Sequence, residues 1–145
     1  MRVVIQRVNE ASVTVEGKLI SKIDKGLLVL VGIKSNDTLD QCNYLINKIL
    51  NLRIFEDENL KMNKSASDFN LEILLVSQFT LYADCKKGNR PSFITAMSPA
   101  QAKEFYQKFV NQFKQKYPKV KDGVFGAYMK VNLINDGPVT IILNS

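Results

Sequence analysis

Two runs of apolar residues constrain most strongly what this chain of 145 residues can fold into. They span residues 27–32 and 71–79, and the first contains no polar side chain. Both are much shorter than the roughly 20 apolar residues that cross a bilayer as a helix. Continuous apolar runs of this length are typical of strands that are covered on both faces of a sheet. We therefore predict a sheet with two fully buried central strands.

The remaining periodicity predicts further strands and two helices around this pair. Apolar and polar residues alternate at 11–15 and 127–133, as they do in half-buried strands. Apolar residues recur at helical spacing after Thr38 and again after Ser98, where Pro99 and a capping-box Gln101 favour a helix start. The pattern predicts one domain, residues 1–145, of about seven strands and two helices, an α+β fold with a mostly antiparallel sheet.

Histidine is absent from the chain. Its absence removes Ser-His and Cys-His nucleophile pairs, histidine general bases and the usual zinc chemistry. We expect no metal and no cofactor, so catalysis must use carboxylates, hydroxyls, lysine, backbone dipoles or the substrate itself. Two cysteines do not make a disulfide framework. No signal peptide or membrane span is predicted, and we expect a cytoplasmic protein with no membrane partner.

The net charge of +6 is unevenly distributed along the chain. Residues 1–85 have a net charge of −1, whereas residues 86–145 hold ten basic and three acidic side chains. A basic half is typical of proteins that bind a polyanion, most often nucleic acid, although it also serves solubility. In the loop after the second apolar run, Lys86, Lys87 and Arg90 are candidate phosphate ligands. Phe93 could stack on a base, line a pocket or simply anchor a solvated loop.

Polar side chains end the second apolar run, where Ser77, Gln78 and Thr80 surround Phe79. Buried polar groups cost a few kcal/mol when they have no hydrogen-bond partner. Their grouping at the end of a strand predicts a site where hydroxyls and backbone N–H groups face a ligand. The alternative is that the hydroxyls only stabilise the following turn.

The dipeptide Gly137-Pro138 precedes a last apolar strand. Proline has no N–H for a sheet and glycine weakens a strand, so the pair predicts a sharp bend at a strand end. Such a bend would present carbonyls and a bare Cα to an approaching molecule. Bonds to proline are also the common place for a cis peptide. An ordinary surface turn is the alternative reading of the dipeptide.

Together these segments resemble the bacterial-type D-aminoacyl-tRNA deacylase family from end to end. The two signature motifs, residues 77–81 and 135–140, match without departure. The other matching stretches are residues 5–8, 11–15, 26–32, 61–63 and 88–93.

The resemblance implies a homodimer with a barrel-like core that hydrolyses the ester between a D-amino acid and the terminal ribose of tRNA. It implies the same reaction on glycine mischarged onto alanine tRNA. Catalysis in such a protein uses the terminal 2′-hydroxyl of the tRNA, which assists attack by water and makes histidine unnecessary. Donors around Ser77, Gln78 and Phe79 would hold the carbonyl oxygen as charge develops. With no base to activate it, Thr80 is expected to have a structural or polarising role.

By the same resemblance, Gly137-Pro138 corresponds to a Gly-cisPro motif that reaches from one subunit into the pocket of the other. Its carbonyls would contact the amino group and Cα of the substrate, so that an L side chain would collide. Two other functions stay open on the sequence alone. One is a non-catalytic RNA-binding module, and the other is a Thr- or Lys-dependent amidase or esterase for small molecules.

Overall fold

The first strand, β1 (Arg2–Val15), organises the sheet because three other strands pair with it. In the computed structural model, which describes residues 1–145, β3 (Gly26–Gly32) pairs with the first half of β1 and β2 (Lys18–Ile23) with the second half. The last strand, β8 (Met129–Asn144), runs antiparallel along the whole length of β1. The long strand β1 therefore connects the N-terminal strands β2 and β3 to the C-terminal strand β8 in one sheet.

Two parallel strands extend the sheet beyond β3. β6 (Glu72–Ser77) pairs with β3, and β7 (Val120–Asp122) pairs with β6. β4 (Phe55–Glu56) and β5 (Met62–Lys64) form a separate antiparallel ladder. Antiparallel pairs predominate, and the main sheet curves into a nearly closed, barrel-like structure, which confirms the predicted α+β fold.

The two predicted helices are present as α1 (Leu39–Asn51) and α2 (Pro99–Lys116). Both begin as the sequence indicates, after Thr38 and after Ser98. The capping box at α2 is absent, however, because the Ser98 hydroxyl donates to Gln101 Oε1 at 2.7 Å and accepts no hydrogen bond from a backbone N–H of the helix. Neither helix is long and apolar enough to cross a bilayer.

The core lies on both faces of the central strands, as the apolar runs predict. Leu27 and Val29 of β3 pack on the side that the two helices cover. Leu28 points to the opposite face, where it meets Leu74 and Val76 of β6 in a smaller cluster. Because every second residue of β3 faces the other way, both faces need apolar side chains, and this produces the continuous apolar run.

Two predicted strand boundaries are wrong. The second apolar strand was expected to continue to residue 79, but β6 ends at Ser77 and a 3-10 helix, Phe79–Tyr82, follows. This helix packs so closely on β3 that a Cβ on Gly32 would lie 3.0 Å from Leu81 Cβ. The Gly137-Pro138 pair was expected at the end of a strand, but it lies inside the continuous strand β8.

Candidate active site

A cavity of about 690 Å³ opens where β6 ends. One wall is formed by the end of β6 and the start of the 3-10 helix, and the other by the N-terminal turn of α2 and the segment that enters β8. Most of the lining is apolar. The lining residues are Val76, Ser77, Gln78, Phe79, Phe93, Ala96, Met97, Ser98, Pro99, Ala102, Phe125, Gly126, Ala127, Tyr128, Met129 and Val131.

Three of the four predicted catalytic residues, Ser77, Gln78 and Phe79, line this cavity. The amide of Gln78 donates to the carbonyl of Val31 at 2.8 Å, which fixes the point where the chain leaves the sheet. The first amides of a helical turn have no acceptor inside the turn. Phe79 and Thr80 begin the 3-10 helix, so their N–H groups have no acceptor within it.

The fourth predicted catalytic residue, Thr80, does not line the cavity. Its hydroxyl oxygen accepts a hydrogen bond of 2.6 Å from Gln78 Nε2. The Thr80 hydroxyl thus contacts the side chain of a lining residue and is not presented to the cavity. This contact gives Thr80 a means of orienting Gln78.

Two tyrosines on the elements that form the cavity walls, Tyr82 of the 3-10 helix and Tyr106 of α2, are not suited to act as bases near neutral pH. Burial raises the pKa of Tyr82 to about 12, Asp37 adds to the rise, and the nearby Arg2 opposes it. Burial also raises the pKa of Tyr106, whose hydroxyl has no hydrogen-bond partner. The ring centroid of Tyr106 lies 5.6 Å from that of Phe125, a cavity residue. Both phenols stay protonated at neutral pH.

The predicted phosphate ligands Lys86, Lys87 and Arg90 lie in an exposed loop next to the cavity and not in it. Two backbone hydrogen bonds between Asp84 and Ser92, of 2.8 and 2.9 Å, close the base of this loop. Directly after it, Phe93 lines the cavity, with its ring centroid 5.0 Å from that of Phe79 in an edge-to-face arrangement. The loop therefore projects from one side of the cavity mouth.

Gly137 and Pro138 do not line the cavity of their own chain. Gln6 pairs with Thr140 and Val8 with Asn135, so four residues of β8, 136–139, face a single residue of β1. The extra residues form a bulge, and both Gly137 and Pro138 are exposed on it. The peptide bond between them is cis.

Arg7, the residue opposite this bulge, is 5% exposed and holds the bulge in place. Its Nε donates to the carbonyl oxygen of Asp136 at 3.0 Å and lies 3.3 Å from the Asp136 carboxylate. Its Nη1 donates to the carbonyl oxygen of Ile54 at 2.6 Å. A buried guanidinium with these partners ties β8 to the segment before β4. Sequence reasoning did not identify this role, because the arginine lies in an otherwise ordinary strand pattern.

The second wall of the cavity was also missed. It comes from Met97 to Ala102 and from residues 125–131, which were interpreted as helix start and half-buried strand. One sequence signal could have indicated this wall. Phe125, Ala127 and Met129 are half-buried and alternate with exposed residues, beginning before the start of β8.

This chain is similar to known proteins over its full length. The sequence model of the family described as D-Tyr-tRNA(Tyr) deacylase matches residues 4–144. A D-aminoacyl-tRNA deacylase of Halothermothrix orenii is 61% identical over 145 residues, and one of Thermosipho melanesiensis is 58% identical over 146; each match covers 100% of this chain and 97% of the relative. A solved structure titled c-Myc DNA Unwinding Element Binding Protein has a TM-score of 0.95 at 51% identity, covering 100% of this chain and 99% of that one. This chain therefore belongs to the D-Tyr-tRNA(Tyr) deacylase family.

Proposed function

We propose that this protein hydrolyses the ester bond between a D-amino acid and the terminal ribose of tRNA, and that the terminal 2′-hydroxyl of the tRNA assists the attacking water. The family supports the reaction, and the chemistry of the cavity supports the mechanism. Sixteen residues line the cavity, and none carries a carboxylate, amine, guanidinium or thiol. This is the observation that carries the proposal, because a general base must lie within hydrogen-bond reach of the proton that it removes. The substrate's own hydroxyl, adjacent to the ester, can take the place of the missing side chain.

The protein's part is then to position the ester and to stabilise negative charge on its carbonyl oxygen. The amides of Phe79 and Thr80, which have no acceptor within the 3-10 helix, are suited to this role. Fixed donors of this kind aimed at a developing oxyanion typically contribute on the order of 10²–10³ in rate each. Water adds to the ester carbon, the bond to the ribose oxygen breaks, and that oxygen leaves with a proton.

The same cavity argues against a Thr- or Lys-dependent hydrolase of small molecules. No lysine lines it, and the Thr80 hydroxyl accepts a hydrogen bond from Gln78 outside it. A hydroxyl nucleophile needs a neighbouring base, and none is present here.

We further propose that selection against L-aminoacyl-tRNA is made in a homodimer, by Gly137 and Pro138 of the partner subunit. In a single chain these two residues are exposed and absent from the cavity, so a cavity completed by them must belong to a second chain. Backbone carbonyls presented by the bulge would lie against the Cα of the substrate. A hydrogen or a D side chain would point away from them, which extends the reaction to glycyl-tRNA(Ala). A two-fold axis would complete both cavities by the same contact.

The basic loop supports tRNA as the substrate that is bound. Lys86, Lys87 and Arg90 are exposed at the side of the cavity mouth, where phosphates of the acceptor end would pass. We propose that these three residues bind tRNA phosphates, with Phe93 helping to form the cavity wall behind them. An enzyme of aminoacyl-tRNA would work in the cytoplasm, beside translation.

Deacylation of matched D-tyrosyl-, L-tyrosyl- and glycyl-tRNAs by the purified protein tests the proposal. Each rate is compared with spontaneous hydrolysis in the same buffer. We expect the D-tyrosyl and glycyl esters to be cleaved and the L-tyrosyl ester to be spared. Equal rates on the D and L esters would refute the chiral selection, and no cleavage of any ester would leave only RNA binding.

A further inference from the structure

Tyr128 is an unusually exposed aromatic residue at the rim of the cavity. Its exposed fraction is 88%, and it precedes β8 directly. The residues on either side of it, Ala127 and Met129, are half-buried and line the cavity wall. Because side chains alternate between the two faces of an extended chain, Tyr128 points away from the cavity floor and stands at its edge. Its ring makes no contact with another aromatic ring, unlike that of Phe79 on the opposite wall.

Lys130 lies on the same exposed face, two residues further along β8. Two residues of an extended strand span roughly 6–7 Å, which is close to the spacing of successive nucleotides in an extended single strand. Lys130 forms no ion pair with any carboxylate. An exposed ring beside a free cation is the combination that binds single-stranded nucleic acid, through base stacking and phosphate contact.

The cations at this rim are not neutralised by carboxylates. The cations on elements that border the cavity mouth, Lys86, Lys87, Arg90 and Lys130, make no ion pairs. By contrast, Lys114 and Lys121, near the C-terminal end of α2 and on β7, are bound to Asp122 and Glu72 at 2.6 Å. The four cations at the mouth are therefore available to contact phosphate, as are most other lysines and arginines of the chain.

We propose that Tyr128 stacks on the base of the penultimate nucleotide of the tRNA, and that Lys130 contacts the phosphate joining that nucleotide to the terminal one. This inference rests on the proposed function, because it requires the terminal nucleoside to occupy the cavity. The penultimate base then lies outside, at the rim, where a flat exposed ring is available. Phe79 is less suited to this role because it already packs against Phe93.

Comparing a full-length tRNA ester with a nucleoside ester distinguishes the proposed Tyr128 stacking contact from an effect on the catalytic step. With D-tyrosyl-tRNA, we expect Tyr128→Ala to raise KM by about 5- to 150-fold with kcat unchanged, as stacking on one base typically contributes. Tyr128→Phe should retain the wild-type KM. With D-tyrosyl-adenosine, which has no penultimate nucleotide, Tyr128→Ala should raise KM by a much smaller factor than it does with D-tyrosyl-tRNA. Tyr44→Ala is the matched control, because Tyr44 is a half-exposed tyrosine on α1, which forms no part of the cavity.

Measuring the affinity for uncharged tRNA tests the stacking contact without any hydrolysis. We expect wild type to lose affinity when the penultimate base is removed, and Tyr128→Ala to be insensitive to that removal. The stacking role is overturned if wild type and Tyr128→Ala lose the same affinity when the penultimate base is removed. It is also overturned if Tyr128→Ala lowers activity on D-tyrosyl-adenosine by the same factor as on D-tyrosyl-tRNA. A change of oligomeric state in Tyr128→Ala, seen by light scattering, would also overturn it. If tRNA binding depends on Tyr128 but no ester is hydrolysed, the inference stands and the proposed function fails.

Discussion

Replacing Gly137 by alanine is the most direct test of the role given to the β8 bulge. Gly137 has a φ of +130°, a conformation that L side chains rarely adopt. An added Cβ would lie 2.9 Å from both the backbone nitrogen and Cγ2 of Val139, and 3.3 Å from Arg7 Nη2. The backbone conformation and the neighbouring atoms of the same chain therefore require glycine at this position, whether or not the substrate also does. Because a backbone nitrogen cannot move aside alone, the bulge itself must change shape.

The size of the effect follows from the backbone strain. A side chain in a sparsely populated backbone region costs of order 1–3 kcal/mol. We expect the free energy of unfolding to fall by about 2 kcal/mol, which for a domain of this size lowers Tm by roughly 4–8 °C. Gly137 and Pro138 lie outside the two core clusters, and Val139, which the new Cβ would meet, packs against the edge of the larger one.

The assay compares D- and L-tyrosyl-tRNA hydrolysis with thermal unfolding of the same preparations. At a temperature well below Tm, we expect Gly137→Ala to reduce the D rate by about tenfold or more, equivalent to 1.4 kcal/mol of transition-state stabilisation. The ratio of D to L rates should also fall, because the displaced carbonyls no longer oppose the L side chain. Gly17→Ala is the control, since Gly17 has a φ of +79° and open space around its Cα. It should lose about 1–2 kcal/mol of stability and no selectivity.

The reasoning fails if Gly137→Ala keeps the wild-type D rate and D-to-L ratio. It also fails if Gly17→Ala loses activity to the same extent, since the loss would then reflect stability alone. A dimer structure in which the bulge lies away from the partner's cavity would refute the shared site.

Three further outcomes are expected. Thr80→Val should keep most of the activity, because Thr80 acts through Gln78 and no base is present to activate the Thr80 hydroxyl. A tRNA with a 2′-deoxy terminal ribose should react far more slowly with the wild-type protein. The opposite pair of results would show that the nucleophile belongs to the protein. Single alanine variants of Lys86, Lys87 and Arg90 should each lower the slope of log affinity against log salt by about 0.7–0.9, and unchanged slopes in all three would exclude phosphate contacts there. Burial raises the pKa of Cys42 from 9.0 to about 11. The unfolded thiol therefore ionises first, so stability should decline from pH 9 towards 11. Cys42→Ala should reduce that decline as measured by denaturant unfolding, and an identical pH profile in both proteins would contradict the assignment.

Local patterns were sufficient to predict the main elements of the fold. The apolar run in β3, the helical stripes of α1 and α2 and the polar residues after β6 all reflect periodicities of a few residues, which neighbouring positions encode. Gly137-Pro138 was recognisable for a similar reason, since both residues have backbone properties that no other type shares. The family motifs then connected two of these features to one reaction.

The arrangement of the site depends on contacts between distant parts of the chain. Arg7 holds Asp136 across 129 positions because β1 pairs with β8, and no local pattern specifies that pairing. Thr80 is directed to Gln78 because the chain leaves the sheet at Ser77 and turns into a 3-10 helix against Gly32. The second wall comes from α2 and β8, which meet β6 only in the folded protein. Residue types and their periodicity thus determine which elements form, whereas the packing of those elements decides which side chains share a cavity, because side-chain contacts depend on distances in space and not along the chain.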